Sequence, residues 1–482
     1  MVAIIRFIKY LGITSLFLVL LWGRPSREHK TYFKNTVQEL NIYKIYGEQD
    51  GNTALILGGI QGDEPGGFRS AELYSELSLE QGNLIVVPRT NFHSIIKNKR
   101  AINFDMNRRF INSEQEHSNQ NYEDKIVEII IGLMEEADIL LNLHDGWGFY
   151  SKKRVGPGRN PQRFGQSIIA DTRRYIHNND TINLKKMAQK VIKKANTQID
   201  NPKHHLSFMN TETFTEGSQY SSEMKRSATY YALTEYKIPA FGIEASKNIK
   251  DLKKKIKYHN YAINGFLDIM DIKPEFPAVE VSSPKIQYLH ISINGERPVC
   301  VQSQDTLYIN QGDSIEITNV ISNYEKGLSV DIEHIGSEQD YQKNYIINTN
   351  TRITLKRDSN ILSNITLRIK DAGKPSYHFV IKNDNHRKVY SEDSSIYLHP
   401  DSKFKVVNVY SQNVHGDELS VNIKGYVPPT EHNTGEDRNY WVRKKDLWTK
   451  YSTEGRGQKY PIIVKKNDKV VSKINIIYTK SE

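Results

Sequence analysis

The chain has 482 residues, of which 38% are hydrophobic and 10% aromatic, and a formal net charge of +10. That length is too great for one core and implies roughly two to four domains, while the apolar content excludes a disordered chain. One cysteine, Cys300, excludes internal disulfides and cysteine-rich zinc knuckles, and it reads as a buried or half-buried strand residue.

Lys and Arg are spread along the whole chain with no basic block interleaved with aromatics, so nucleic acid is not an expected partner. A basic surface would suit an acidic envelope polymer. At the N-terminus, Arg6 and Lys9 precede LGITSLFLVLLWG (11–23), an apolar run of 13 residues. It has signal-peptide length and falls short of the roughly 20 residues needed to span a bilayer. No A-x-A cleavage site follows. Residues 1–30 are therefore read as a signal peptide or an uncleaved inner-membrane anchor, and the chain as an exported, periplasmic one. In an oxidising compartment a chain with one cysteine must rest on packing alone.

From 31 to 272 the pattern alternates between buried strands and amphipathic helices. Strands are expected at ALILGGI (54–60), NLIVVPR (83–89), ADILLNLH (137–144) and IPAFGIEAS (238–246). Ile126, Ile129, Ile130, Leu133, Met134 and Ala137 recur at helical spacing, as do Leu184, Met187, Ala188, Val191, Ile192 and Ala195. A closing helix is expected from about Ile249 to Met270. Near-continuous apolar strands alternating with helices predict an α/β domain with a mixed, mostly parallel sheet flanked by helices. A proline-rich linker (273–284) follows. Beyond it the texture changes to short alternating strands, and LYINQGDSIEITNV (307–320) repeats as IYLHPDSKFKVVNV (396–409) at an offset of 89. LSVDI (328–332) repeats as LSVNI (419–423) at an offset of 91. Two tandem β-sandwiches, 285–373 and 374–482, are predicted, with their junction near 371–376.

Polar residues follow, or end, the buried strands of the first domain, where α/β sheets place their sites. Gln61 and Glu64, three apart in a glycine-rich loop, can close on one metal ion. His144 is the natural third ligand. Glu244 is placed to take a proton from the attacking water and deliver it to a leaving amine. In INFDMNRRF (102–110), Asn107 and Arg108 suit capture of a substrate carboxylate. Arg100 can polarise a scissile carbonyl; Arg89 and Arg109 are weaker candidates for such roles. His93, His117, His204 and His205 read as structural or surface residues.

The loop G-G-I-Q-G-D-E, the segment D-M-N-R-R-F, the strand-borne His144 and the strand G-I-E-A-S together resemble the zinc carboxypeptidases of the M14 type, over residues 31–272. The resemblance implies one Zn2+ held by Gln61, Glu64 and His144, with Glu244 as base. Most such enzymes carry His where this chain has Gln61. Gln there, the export signal and the trailing β domains resemble the periplasmic DL-carboxypeptidases that set helical cell shape. That branch implies trimming of peptidoglycan tripeptide stems to dipeptides by release of terminal meso-diaminopimelate, with muropeptides and other cell-shape proteins as partners. Gln, Glu and His give the metal the same ligand charge as His, Glu and His. A carboxamide oxygen is the weaker donor, so a metal easily stripped by chelators is expected. Tyr220 and Tyr230 lie where related enzymes carry a substrate-facing tyrosine, and spacing selects neither. Two other readings stand beside this one: a zinc deacylase of N-acyl amino acids, and a non-catalytic envelope-binding scaffold.

Overall fold

A computed structural model describes residues 26–111, 121–178, 180–275, 285–370, 377–384, 386–411, 419–428 and 435–479. The apolar run at 11–23, His117, most of the linker and the junction at 371–376 lie outside these residues. Among the described residues no helix is long and apolar enough to cross a membrane. The chain divides into two compact units, residues 1–283 and 284–482.

The first unit contains strands β1 (Arg27–Tyr32), β2 (Leu40–Tyr46), β3 (Gln49–Gly58), β4 (Leu79–Val87), β5 (Ile139–Gly146), β6 (Phe149–Tyr150), β7 (Arg159–Asn160), β8 (Ser167–Ala170), β9 (Tyr175–His177), β10 (Asp180–Ile182), β11 (Ser207–Asn210), β12 (Ala240–Ser246) and β13 (Lys273–Pro274). Nine of them form one mixed sheet in the order β1-β2-β4-β3-β5-β12-β8-β11, with β13 beside β4. The central run β4-β3-β5-β12 is parallel throughout. Helices α1 (Pro65–Tyr74), α2 (Phe92–Ile96), α3 (Tyr122–Met134), α4 (Leu184–Asn196), α5 (Ser221–Met224), α6 (Ala228–Glu235) and α7 (Leu252–Ile269) complete the unit. Alternate strand residues face opposite ways. Ile56, Leu141, Leu143, Phe241 and Ile243 pack under α1, α4 and α7, whereas Leu55, Leu57, Val87 and Leu140 pack under α3 and α6. Burial on both faces is why these strands read as unbroken apolar runs.

The structure departs from the sequence reading at three places. Residues 27–30, grouped there with the N-terminal segment, belong to β1, an edge strand of charged residues that carries no apolar signal. Lys273–Pro274, assigned to the linker, pairs with β4. Cys300 is exposed in its strand, not buried.

The second unit holds two eight-stranded sandwiches. With strands numbered in chain order within each, both have sheets ordered 2-1-4-6 and 3-8-7-5, and both join strands 3 and 8 in parallel. The recurrence reaches single residues. Strand 4 bulges at the same point in each, and there the Asn319 and Asn408 side chains accept a hydrogen bond from the amides of Val320 and Val409. Asp340 and Asp437, both buried, accept from the amides of Ile332 and Ile423 on strand 5. Ile353, Leu355, Ile365 and Leu367 of the first core occupy the places of Ile462, Val464, Ile474 and Ile476 in the second.

Phe241 of β12 is fully buried, its ring 4.5 Å from that of Phe266 on α7. Phe241→Ala should cost the catalytic unit about 3–5 kcal/mol. Scanning calorimetry should show the transition of that unit lowered and the transition of the sandwiches unmoved.

Candidate metal centre

The site forms at the carboxyl ends of the central parallel strands. β3 ends at Gly58, and the turn that follows carries Gln61 and Glu64 into the start of α1. β5 brings His144, and β12 brings Glu244 directly opposite it in register. The turn must lie tight against its surroundings. A Cβ on Gly66 would meet Asp145 Oδ1 at 2.3 Å, and one on Gly67 would meet the Leu143 carbonyl oxygen at 2.7 Å. Gly66 and Gly67, in the first turn of α1, are thus required by close approach to β5.

Gln61, Glu64, His144 and Glu244 are all buried. His144 Nδ1 lies 2.9 Å from Glu64 Oε2, an oxygen that also accepts from the amide of Asp145. Gln61 turns its Nε2 to Asp105, 3.0 and 3.1 Å from the two carboxylate oxygens, and this leaves its Oε1 facing Arg100 Nη1 at 3.0 Å. The same Nη1 lies 3.8 Å from Glu64 Oε1. A positive charge therefore already stands where the carboxamide oxygen and the carboxylate converge. One imidazole nitrogen, one carboxylate and one carboxamide oxygen, buried together, suit a divalent metal. Counting only His, Cys, Asp and Glu, no group of three that could hold a metal occurs among the described residues. Gln61 completes this set.

Carboxylates and the His144 imidazole crowd together in the site, and each shifts the others. Burial pushes the Glu244 carboxyl up to about 8; His144 opposes the shift, and Glu64 and Asp145 add to it. Its Oε2 is buried with no hydrogen-bond partner among the described residues. Burial works against protonating His144, but the Glu64 carboxylate outweighs it and raises the imidazole above its ordinary range. Asp105 is held below the usual carboxylate range, against its burial, by Arg100 and by the Gln61 amide.

These side chains line a cavity of about 500 Å³ that also takes in Arg100, Asn107, Arg108, Trp147, Tyr220 and Lys247. All seven residues expected from sequence thus come together. Asn107 spends its carbonyl oxygen on the amides of Ala228 and Asn142, and its Nδ2 faces His144 Nε2 at 3.5 Å. The amide N–H groups are what it can offer a ligand. Arg108 donates to its own neighbour's carbonyl, that of Asn107, at 2.9 Å and lies 3.7 Å from Glu223. Arg89 and Arg109 do not line the cavity: the first pairs with buried Glu72, the second with Asp124 near the start of α3. Of the two tyrosines, Tyr220 lines the cavity and Tyr230 packs on Phe214. His204 stacks on Phe149 and His205 bonds the Ile199 carbonyl, both structural.

Sequence reasoning missed Asp145, Lys247, Lys255 and His259. Lys247 reaches Asp63 at 2.6 Å and Glu64 at 3.7 Å. Lys255 and His259, one turn apart on α7, both bond Asp145. Polar residues at that spacing on a buried helix face were the signal available.

A mixed, mostly parallel sheet whose strand ends gather this donor set, the buried Glu244 carboxylate and the arginines Arg100, Arg108 and Arg163 round one cavity suits a metallocarboxypeptidase. Residues 17–284, more than half of the chain, match the family described as the catalytic part of carboxypeptidases controlling helical cell shape, and the chain belongs to it. The crystal structures of the cell shape determinant protein Csd4 from Helicobacter pylori, in apo, tripeptide-bound and product-bound forms, share the fold. Each is 22% identical, with a TM-score of 0.50 over 91% of this chain and 100% of that one. Among curated proteins none matches.

Asp105→Asn removes the charge that orients Gln61 and holds Arg100. Losing such a supporting partner should lower metal affinity about 10–100-fold. Competition with a chromogenic chelator would measure it, and Glu223→Gln should leave the affinity unchanged.

Proposed function

We propose that this enzyme is a zinc-dependent DL-carboxypeptidase of the periplasm that trims peptidoglycan tripeptide stems to dipeptides, releasing terminal meso-diaminopimelate. The observation that carries the reading is the convergence of Gln61, Glu64 and His144 opposite Glu244, with Arg100 and Arg108 in the same cavity. The tripeptide-bound and product-bound forms of Helicobacter pylori Csd4 support a peptide substrate for a chain with this fold. The export-type N-terminus supports the compartment.

Gln61, Glu64 and His144 would hold a divalent metal, which would supply Lewis acidity and a positive charge lowering the pKa of a nearby water and of Glu244 alike. Arg108 and the Asn107 amide bind the terminal carboxylate of the stem, which orients the last peptide bond over His144 and Glu244. Glu244, buried and with an oxygen free, accepts a proton from the attacking water and passes it to the departing amine. Arg100 leaves its contact with Gln61 to meet the oxyanion that forms on the scissile carbonyl. Its half-exposed side chain, anchored to Asp105, has room for that shift.

Purified enzyme incubated with muropeptides and added zinc should convert tripeptide to dipeptide stems, and a chelator should stop it. No conversion under zinc would overturn the reading. Glu244→Gln should lower turnover at least ~100-fold with metal content unchanged. Gln61→His should keep the link to Asp105 through one ring nitrogen and resist chelator stripping longer than the parent; equal loss would remove Gln61 as a ligand.

A further inference from the structure

The two sandwiches share a core and a topology, and they differ sharply at one place on their outer faces. In the second, Lys382, Lys403 and Lys405 gather round Trp441, their ammonium groups 5.9, 4.8 and 5.4 Å from the centre of its ring. Ile381, Phe404, Val406 and Val442, the neighbours of these residues along the strands, are buried in the core, so the cluster points outward. Trp441 is 38% exposed. No carboxylate lies within ion-pair distance of any of the three lysines among the described residues.

Strand register makes the arrangement costly. Lys382 is the direct cross-strand partner of Lys405 and of Arg387, and Lys403 that of Arg443. Like charges directly opposite one another destabilise a sheet. Burial, Lys382 and Arg387 together hold the Lys405 ammonium below its ordinary range. The first sandwich shows that the fold does not need this. At the matching register positions it carries Ser292, Ser314, Glu316 and Asn344, and residues 285–370 contain no tryptophan. The repulsion is special to the second repeat, and an anion laid on the face would relieve it.

We propose that this face of the second sandwich, centred on Trp441 with Lys382, Lys403 and Lys405, docks a carboxylate-bearing glycan strand. The tryptophan offers a flat apolar ring for a sugar, and the lysines ring it with positive charge for the carboxylates of attached peptides. A membrane surface takes a stripe of several large apolar residues beside its basic ones; here a single tryptophan lies at the end of a basic row. The choice of peptidoglycan as the glycan rests on the function proposed above. The second unit thus holds the polymer whose stems the first unit trims.

The test is co-sedimentation of the full chain with insoluble peptidoglycan sacculi, alongside trimming of a soluble muropeptide. One variant is Lys382→Gln with Lys403→Gln and Lys405→Gln, which keeps most of each aliphatic stem. A second gives the face the residues of the first repeat: Lys382→Ser, Lys403→Ser, Lys405→Glu and Trp441→Asn. Both should bind sacculi about tenfold more weakly, the effect of a few exposed ion pairs, and trim the soluble substrate at the parent rate. Sacculi with amidated carboxylates should bind the parent as weakly as native sacculi bind the variants. Unchanged binding by both variants, equal binding to amidated sacculi, or binding to anionic-lipid vesicles in place of sacculi would overturn the proposal. Trimming without sacculus binding would sink the docking face alone; sacculus binding through this face without trimming would sink the function alone.

Discussion

The carboxylate of Asp145 is the constraint on which the site depends. It is fully buried, yet it accepts from the Gly66 amide at 2.9 Å, from Lys255 at 2.9 Å and from His259 at 3.2 Å. One side chain therefore ties the end of β5, the start of α1 and the inner face of α7 to a single point. Lys255 and His259 keep its carboxyl below the ordinary range despite the burial. Such a cluster is a poor source of net stability, because desolvating the charges offsets their attraction. What it supplies is position. His144 precedes Asp145 and Glu64 precedes the helix that Asp145 caps, so the two side chains cannot move independently.

The same logic extends outward through Asp105, which fixes the other half of the donor set. It accepts from the Gln61 amide and from the Arg100 guanidinium, and with the Asn107 amide it starts the short helical turn Met106–Arg108. A carboxamide has two ends of similar shape, and only one of them can bind a metal. Asp105 can accept but not donate, so it selects the Nε2 end and leaves Oε1 toward the cavity. The Gln61 oxygen is thereby kept facing Arg100 and Glu64 by a charge that an imidazole at this position would need less.

Much of this was legible because the elements bear it on their surface. Four buried strands and their helices announce an α/β sheet, and the polar residues just past the strand ends announce where it works. Gln61, His144 and Glu244 could be singled out because each sits at or just past the end of a visible apolar run. What stayed hidden had no such marker. Strand β1 is charged and at an edge. Arg89 and Arg109 look like Arg100 and Arg108 until the packing shows their partners, Glu72 and Asp124. Asp145 reads as the residue after His144, and its side-chain partners Lys255 and His259 lie over a hundred residues away, a distance that no local pattern bridges.

The sandwiches show the reverse case, in which sequence preserves more than it reveals. The repeat is visible over one stretch of 14 residues and one of five, yet all eight strands, two bulges and a buried aspartate recur. The aspartates, Asp340 and Asp437, escaped notice because loops of different length precede them and their offset is 97. A sheet core constrains every second residue and a bulge constrains one more, while the outer face is free to change. Two copies of one core can therefore keep the same register and diverge in what they present to solvent. It is on that unconstrained face, and not in the shared core, that the second copy departs from the first in charge. The difference between the copies is thus evidence about function that neither copy would provide alone.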